Sequence, residues 1–246
     1  MRTEIHENRL LVISDLHLGN PFSNARQNVV DFLRYAADEG FAVCINGDGL
    51  EIAQTSLGKL ARDVPEVFAQ ILLVARRKLN LYYVVGNHDI VLEHFIEGGG
   101  AFNVVPFLNL YSGDKRIRIE HGHLYDPFFV KHPDVYEFVT WFAGILLHIA
   151  PAIYRVWMAF ERLKSKLRRR GEFAGITGER PEFVTAAQEL TMRGFDAVTF
   201  GHTHHPGRVD LGNGKEYINS GSWLMTPTYV EIIDGKIELK VWNEAA

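Results

Sequence analysis

A single cysteine, Cys44, stands in the whole chain, which excludes an intramolecular disulfide and suits a reducing compartment. The opening residues, MRTEIHENRLLVIS, hold no apolar segment ahead of a cleavage site, so export through a Sec signal is not expected and a cytoplasmic location is. A basic excess is lacking too. The net charge of -4 counts against general nucleic-acid binding, and no nucleic-acid partner is expected. A bilayer span needs about 20 apolar residues. The uncharged stretch FVTWFAGILLHIAPAIY, at 138–154, has 17 and is interrupted by Gly144 and Pro151, so it is read as not spanning. Internal repeats, low-complexity tracts and linkers are absent as well.

What remains is an ordinary globular composition, 47% hydrophobic and 23% charged over 246 residues. That is enough for one large α/β domain. Short apolar runs alternate with helical patterns. LLVIS (10–14), FAVCIN (41–46), LYYVV (81–85), IRIEHG (117–122) and DAVTF (196–200) read as strands, several apolar on consecutive positions as expected of strands covered on both faces. Residues 25–39, 59–79 and 181–193 read as helices. Asn213-Gly214 marks one hairpin and Asp234-Gly235 another. The expected organisation is a single domain over 1–246 with an insertion at about 124–171.

Polar residues gather where these strands end: Ser14-Asp15-Leu16-His17, Asn46-Gly47-Asp48, Gly86-Asn87-His88-Asp89, His121-Gly122-His123 and Gly201-His202-Thr203-His204. Open α/β sheets bind ligands at the carboxyl ends of their strands, so these segments should converge. Carboxylates, imidazoles and one amide oxygen, without thiolate, suit Mn²⁺, Fe²⁺ or Zn²⁺ better than Ca²⁺. Residues spaced i, i+2 on an extended segment point the same way, so Asp15 with His17, and His202 with His204, can each form a pincer. Each fragment alone is common; five in one order, each after an expected strand, point to a shared site. Cys44 sits inside an apolar strand and reads as a small core residue.

In this order the motifs D-x-H, G-D, G-N-H-D, H and G-H-x-H, spanning residues 15 to 204, resemble the calcineurin-like metallophosphoesterases. The resemblance implies a four-layer α/β/β/α sandwich with two divalent metals at the sheet edge, Mn expected and Fe or Zn the alternatives. It implies that Asp15, His17, Asp48 and His204 hold one metal. Asp48, Asn87, His121 and His202 would hold the other, with Asp48 bridging. His88 would face the phosphate as the catalytic residue, and Asp89 would fix the loop. The reaction implied is hydrolysis of a phosphodiester or pyrophosphate bond by a hydroxide bridging the metals, with no side-chain nucleophile. GDGLE carries no arginine after its aspartate, which counts against the phosphoprotein phosphatase branch.

The insertion narrows the substrate. Pro133-Asp134 can open a helix with Val135, Phe138, Val139, Phe142, Ile145, Leu146 and Ile149 at helical spacing, and Pro151 a second with Ile153, Trp157, Phe160, Leu163 and Leu167. Residues 155–170 then hold seven basic side chains against Glu161 alone. An apolar helical pair with a cationic end fits an interfacial element touching a membrane peripherally, on its inner face. It equally fits a hairpin packed on the core or on a second subunit, and the oligomeric state is left open. SDLHL, GD-x-x-E, HG and GHTH-x-P, with a helical lid between the last two, are also similar to the UDP-2,3-diacylglucosamine pyrophosphatase family. That family has arginine where His88 stands. On this resemblance Trp141, Phe142, Leu146 and Trp157 would line an acyl site, and Arg168, Arg169 and Arg170 would meet anionic headgroups. The substrate expected is a small-molecule or lipid-linked phosphate. Two other readings are a soluble nucleotide or cyclic-nucleotide phosphodiesterase, whose insertion packs or dimerises, and a non-enzymatic scaffold.

Overall fold

Leu10 and Val12 point to one side of their strand and Leu11 and Ile13 to the other, and all four are fully buried. That alternation of two apolar faces builds the architecture. In this computed structural model the described residues are 3–20, 23, 25–52, 57–96, 103–149, the helical positions 152, 155, 156, 159, 160 and 163, and 179–242. The side chains of 57, 61, 95, 137, 143, 144 and 146–148 are excepted.

Two six-stranded sheets lie face to face. One sheet runs β12 (Lys236–Val241), β11 (Thr228–Ile233), β2 (Arg9–Ile13), β3 (Ala42–Asn46), β4 (Leu81–Val84), β5 (Asn103–Val105). The other runs β1 (Glu4–His6), β6 (Leu108–Ser112), β7 (Lys115–Ile119), β8 (Ala197–Phe200), β10 (Lys215–Asn219), β9 (Gly207–Gly212). Leu10, Val12, Cys44, Tyr82 and Val84 meet Leu110, Ile117, Ala197 and Ile218 between the sheets. Leu11, Ile13, Val43, Ile45 and Tyr83 face the helices α1 (Ala25–Glu39), α2 (Leu57–Asp63) and α3 (Pro65–Arg76). On the far side Val198, Phe200 and Tyr217 pack on Phe183, Ala187 and Leu190 of α6 (Pro181–Met192). The result is the α/β/β/α sandwich. Cys44 is a buried core residue, and burial pushes its thiol pKa up.

Two local features depart from the sequence reading. The helix expected over 59–79 is two helices, because Pro65 has no N–H to donate and Val64 breaks from helical geometry ahead of it. β1, β5 and β6 were not anticipated; the first two are only 3 residues long. The second helix of the insertion falls largely on undescribed residues, whereas α5 (Pro133–Ile149) begins at Pro133 as expected, just after the short α4 (Pro127–Lys131).

The helical layer is pinned by an aromatic cluster. Phe32 of α1 is fully buried with Trp223, Tyr229 and Trp242 edge-on at 5.1, 5.2 and 5.2 Å between ring centroids. Phe32→Ala therefore loses about 3–5 kcal/mol of unfolding free energy. Urea titration reads this as a lower midpoint at unchanged slope; an unmoved midpoint would show that the cluster is dispensable.

Candidate metal centre

β2, β3 and β4 of one sheet and β7 and β8 of the other all end at one rim, and their loops are tied together there. Asp15 N donates to Gly47 O (3.1 Å), Gly201 N to His121 O (3.0 Å) and Asn46 Nδ2 to Glu120 O (3.0 Å). Five polar residues in these loops, Asp15, His17, Asp48, His202 and His204, have φ between 46° and 62°. That left-handed region is costly for side-chain-bearing residues and concentrates at functional sites. It corrects the extended-pincer expectation: the strands stop at Ile13 and Phe200, and the pairs converge through left-handed turns rather than strand alternation. Gly86 permits a close approach, because a Cβ there would strike the Asp48 carboxylate.

Every residue expected to ligate is brought to this rim. The ligand atoms of Asp15, His17 and His204 cluster, as do those of Asp48, His121 and His202, with each atom within 4.8 Å of the others in its cluster. A third grouping, His17, Asp48 and His88, overlaps the first two through shared members.

The protonation pattern says what these clusters attract. His17 Nδ1 donates to Glu51 Oε2 at 2.7 Å, which turns Nε2 inward, 3.4 Å from His204 Nε2. Asp15 Oδ1 is buried 3.0 Å from His204 Nε2 and receives no hydrogen bond. In the second cluster His121 Nδ1 donates to Asn46 O (2.9 Å), and His202 Nε2 donates to Asp126 Oδ2 (3.1 Å). Their other nitrogens both face Asn87 Oδ1, at 3.1 and 2.8 Å, and His121 Nε2 also lies 3.3 Å from Asp48 Oδ2. Carboxylate, amide and imidazole donors converging on one buried rim offer a site for cations. An orphaned carboxylate oxygen and a mixed nitrogen and oxygen donor set without sulfur fit two hard-to-borderline divalent ions.

Burial alone would drive the buried imidazoles neutral; at His121 and His88 the carboxylates outweigh it, whereas at His202 and His123 burial prevails and the pKa is lowered. His121 rises to about 10, chiefly through Asp48, and His88 to about 9, through Asp48 and Glu51. Burial likewise opposes the Asp48 carboxylate, yet His121 and His88 hold its pKa well below the ordinary carboxylate range. Asp89 behaves differently. Burial, with Asp48 nearby, raises it to about 6. It accepts from Gly49 N (2.9 Å), Gly86 N (2.7 Å) and Tyr83 Oη, the loop-fixing role expected of it.

Sequence reasoning missed the residues behind the ligands. Glu51 is buried and accepts from Nδ1 of both His17 (2.7 Å) and His88 (2.6 Å); burial would raise its pKa, but His88 and His17 bring it to about 2. Its only signal was the position three after Asp48. Asp126 holds His202, and the Tyr136 hydroxyl accepts from Asn87 Nδ2 at 2.8 Å. Nothing local marks them, because their partners lie 76 and 49 residues away.

A cavity of about 620 Å³ opens from Asn87 and His88 along Ile90, Val91, Phe129, Phe138 and Trp141. Trp141 borders it. Phe142 is exposed on α5 but is not among the lining residues. The side chain of Leu146, together with Trp157, Arg168, Arg169 and Arg170, lies outside the described residues. No helix among the described residues is long and apolar enough to cross a membrane.

The sequence profile of the calcineurin-like phosphoesterase family matches residues 8–206. Similar curated proteins are named UDP-2,3-diacylglucosamine hydrolase. That of Shewanella halifaxensis is 24% identical over 237 residues, covering 94% of this chain and 97% of its own. That of Shewanella piezotolerans is 27% identical over 239 residues with the same coverage, and that of Coxiella burnetii is 25% identical over 249 residues, covering 95% and 97%. A dimetal phosphatase from Danio rerio shares the fold, with a TM-score of 0.52 at 12% identity over 95% of each chain.

Proposed function

The chain belongs to the calcineurin-like phosphoesterase family and is a metal-dependent phosphoesterase, and from that premise we propose that it hydrolyses the phosphodiester or pyrophosphate bond of an amphiphilic, lipid-linked nucleotide such as UDP-2,3-diacylglucosamine. One observation carries the choice of substrate: the cavity that begins at Asn87 and His88 continues between apolar side chains of α5 and the 90–91 turn. A phosphate seated against the polar end would place attached acyl chains against Phe138 and Trp141. The names of the curated relatives support the same reading.

In this reading Asp15, His17, Asp48 and His204 hold one ion and Asp48, Asn87, His121 and His202 the other, with Mn²⁺ expected and Fe²⁺ or Zn²⁺ as alternatives. When bound, such a pair supplies Lewis-acid polarisation of the phosphoryl oxygens and an acidified water. The residues do the rest. Glu51 accepts from His88 Nδ1 and so turns His88 Nε2 toward the rim, where it can donate to a phosphoryl or leaving oxygen. The outer hydrogen bonds of His121, His202 and Asn87 would aim their lone pairs at the bound ion. The enzyme would work from the cytoplasmic side, touching the membrane peripherally through the exposed apolar side chains Phe138, Val139, Trp141 and Phe142.

The test uses two substrates on one variant set. Each buried methylene contributes about 0.8 kcal/mol, so removing an aromatic wall costs tenfold or more in binding a long chain. Phe138→Ser with Trp141→Ser is expected to raise KM for the lipid-linked nucleotide at least about tenfold. Turnover of a small aryl phosphodiester should hold. Equal loss on both substrates with a lower melting temperature would instead identify α5 as packing, the reading in which the substrate is a soluble nucleotide.

A further inference from the structure

The two oxygens of Asp126 do different jobs. Oδ1 accepts from Phe128 N (2.9 Å), capping α4, and from Arg180 Nη1 (2.8 Å). Oδ2 accepts from His202 Nε2, which fixes the proton on that nitrogen and leaves Nδ1 bare, 2.8 Å from Asn87 Oδ1. In the first turn of α5 the Tyr136 hydroxyl accepts from Asn87 Nδ2. That bond sets the amide with its oxygen toward His121 and His202 and its nitrogen away. Both outer contacts come from the same helical segment, α4 with the start of α5, and that segment also walls the apolar cavity.

We propose that Asp126 and Tyr136 are positioning residues through which the α4–α5 segment selects the His202 tautomer and the Asn87 amide orientation, so that the segment lining the cavity also completes one of the two metal sites. This rests on the reading of Asn87 and His202 as ligands. Hydrogen-bond partners behind a metal ligand set its tautomer and are typically worth about 10- to 100-fold in metal affinity.

Asp126→Asn is the sharpest test. The new side chain can still accept from Phe128 N and Arg180 through its oxygen, and asparagine caps helices well. Its NH₂ group then faces His202 Nε2 and moves the imidazole proton to Nδ1, the nitrogen meant for the metal. Long-range proton–nitrogen correlation spectra of the metal-free chain should show His202 protonated on Nε2 in the wild type and on Nδ1 in Asp126→Asn. Equilibrium dialysis against Mn²⁺ should show one of two ions bound about 10- to 100-fold more weakly. The spin-coupled Mn pair in the electron paramagnetic resonance spectrum should give way to a single-ion sextet. Tyr136→Phe should weaken the same ion in the same direction while the metal-free melting temperature stays put. Wild-type tautomer in Asp126→Asn, or two ions held with wild-type affinity in both variants, overturns the positioning role while leaving the ligand assignment intact. A wild-type chain that binds no Mn²⁺ overturns the ligand assignment, and the positioning role with it.

Discussion

Asp48→Ala is expected to abolish hydrolysis and to strip the protein of its metals. Asp48 Oδ2 is 3.3 Å from His121 Nε2 and 4.0 Å from His88 Nε2, and its ligand atom groups both with His17 and with His121 and His202. It belongs to the second cluster and also groups with His17 of the first, where a bridging carboxylate would stand. Deleting it removes an anionic donor from each proposed ion and leaves two cations facing one another unscreened. Metal content measured by mass spectrometry should fall from two per chain toward none, and turnover of an aryl phosphodiester should fall to background. Retention of both ions would remove Asp48 from the bridging position.

His88→Ala is expected to do the opposite on metal content: both ions stay, and kcat falls by about 10²- to 10⁴-fold, the usual worth of general acid work. His88 is largely buried, its Nδ1 is committed to Glu51, and its pKa is raised to about 9 chiefly because Asp48 and Glu51 outweigh the burial that would neutralise it. Its Nε2 faces the rim, and the neighbouring carboxylates favour the protonated form that can donate. The change should appear in kcat with KM nearly constant, since the interaction develops in the transition state. If metal content falls with activity, His88 is a ligand, as its grouping with His17 and Asp48 allows, and the assignment must be redrawn. His88→Arg introduces the residue that the family resemblance implies here: a gain on the lipid-linked nucleotide would show that arginine suffices at this position.

The parts of this picture that could be read from the sequence are those written in local pattern. β2, β3, β4 and β8 were legible because consecutive apolar residues mark strands covered on both faces. The hairpins at Asn213-Gly214 and Asp234-Gly235 were legible because those turns need residues that tolerate positive φ, which all four adopt. The rim residues were legible because each follows a strand. What escaped was set by distance along the chain. β1 and β5 are held by pairing with β6 and β4 rather than by any pattern of their own. Asp126 and Tyr136 look like ordinary residues until the fold brings them behind His202 and Asn87, and Glu51, though it ends the GD-x-x-E motif, shows its role only once His17 and His88 are seen to share it. The left-handed turns at Asp15, His17, His202 and His204 escaped for a further reason: only the surrounding structure makes such a conformation tolerable.

The central claim, that this chain is a phosphoesterase working through two ions gathered at the rim, is tested most directly by metal reconstitution. The protein is chelated exhaustively, Mn²⁺ is returned in measured amounts, and hydrolysis of a small aryl phosphodiester is followed against the number of ions bound per chain. The account predicts no turnover in the stripped protein and activity that rises to a plateau as the count approaches two. Full activity in protein carrying no metal would contradict it.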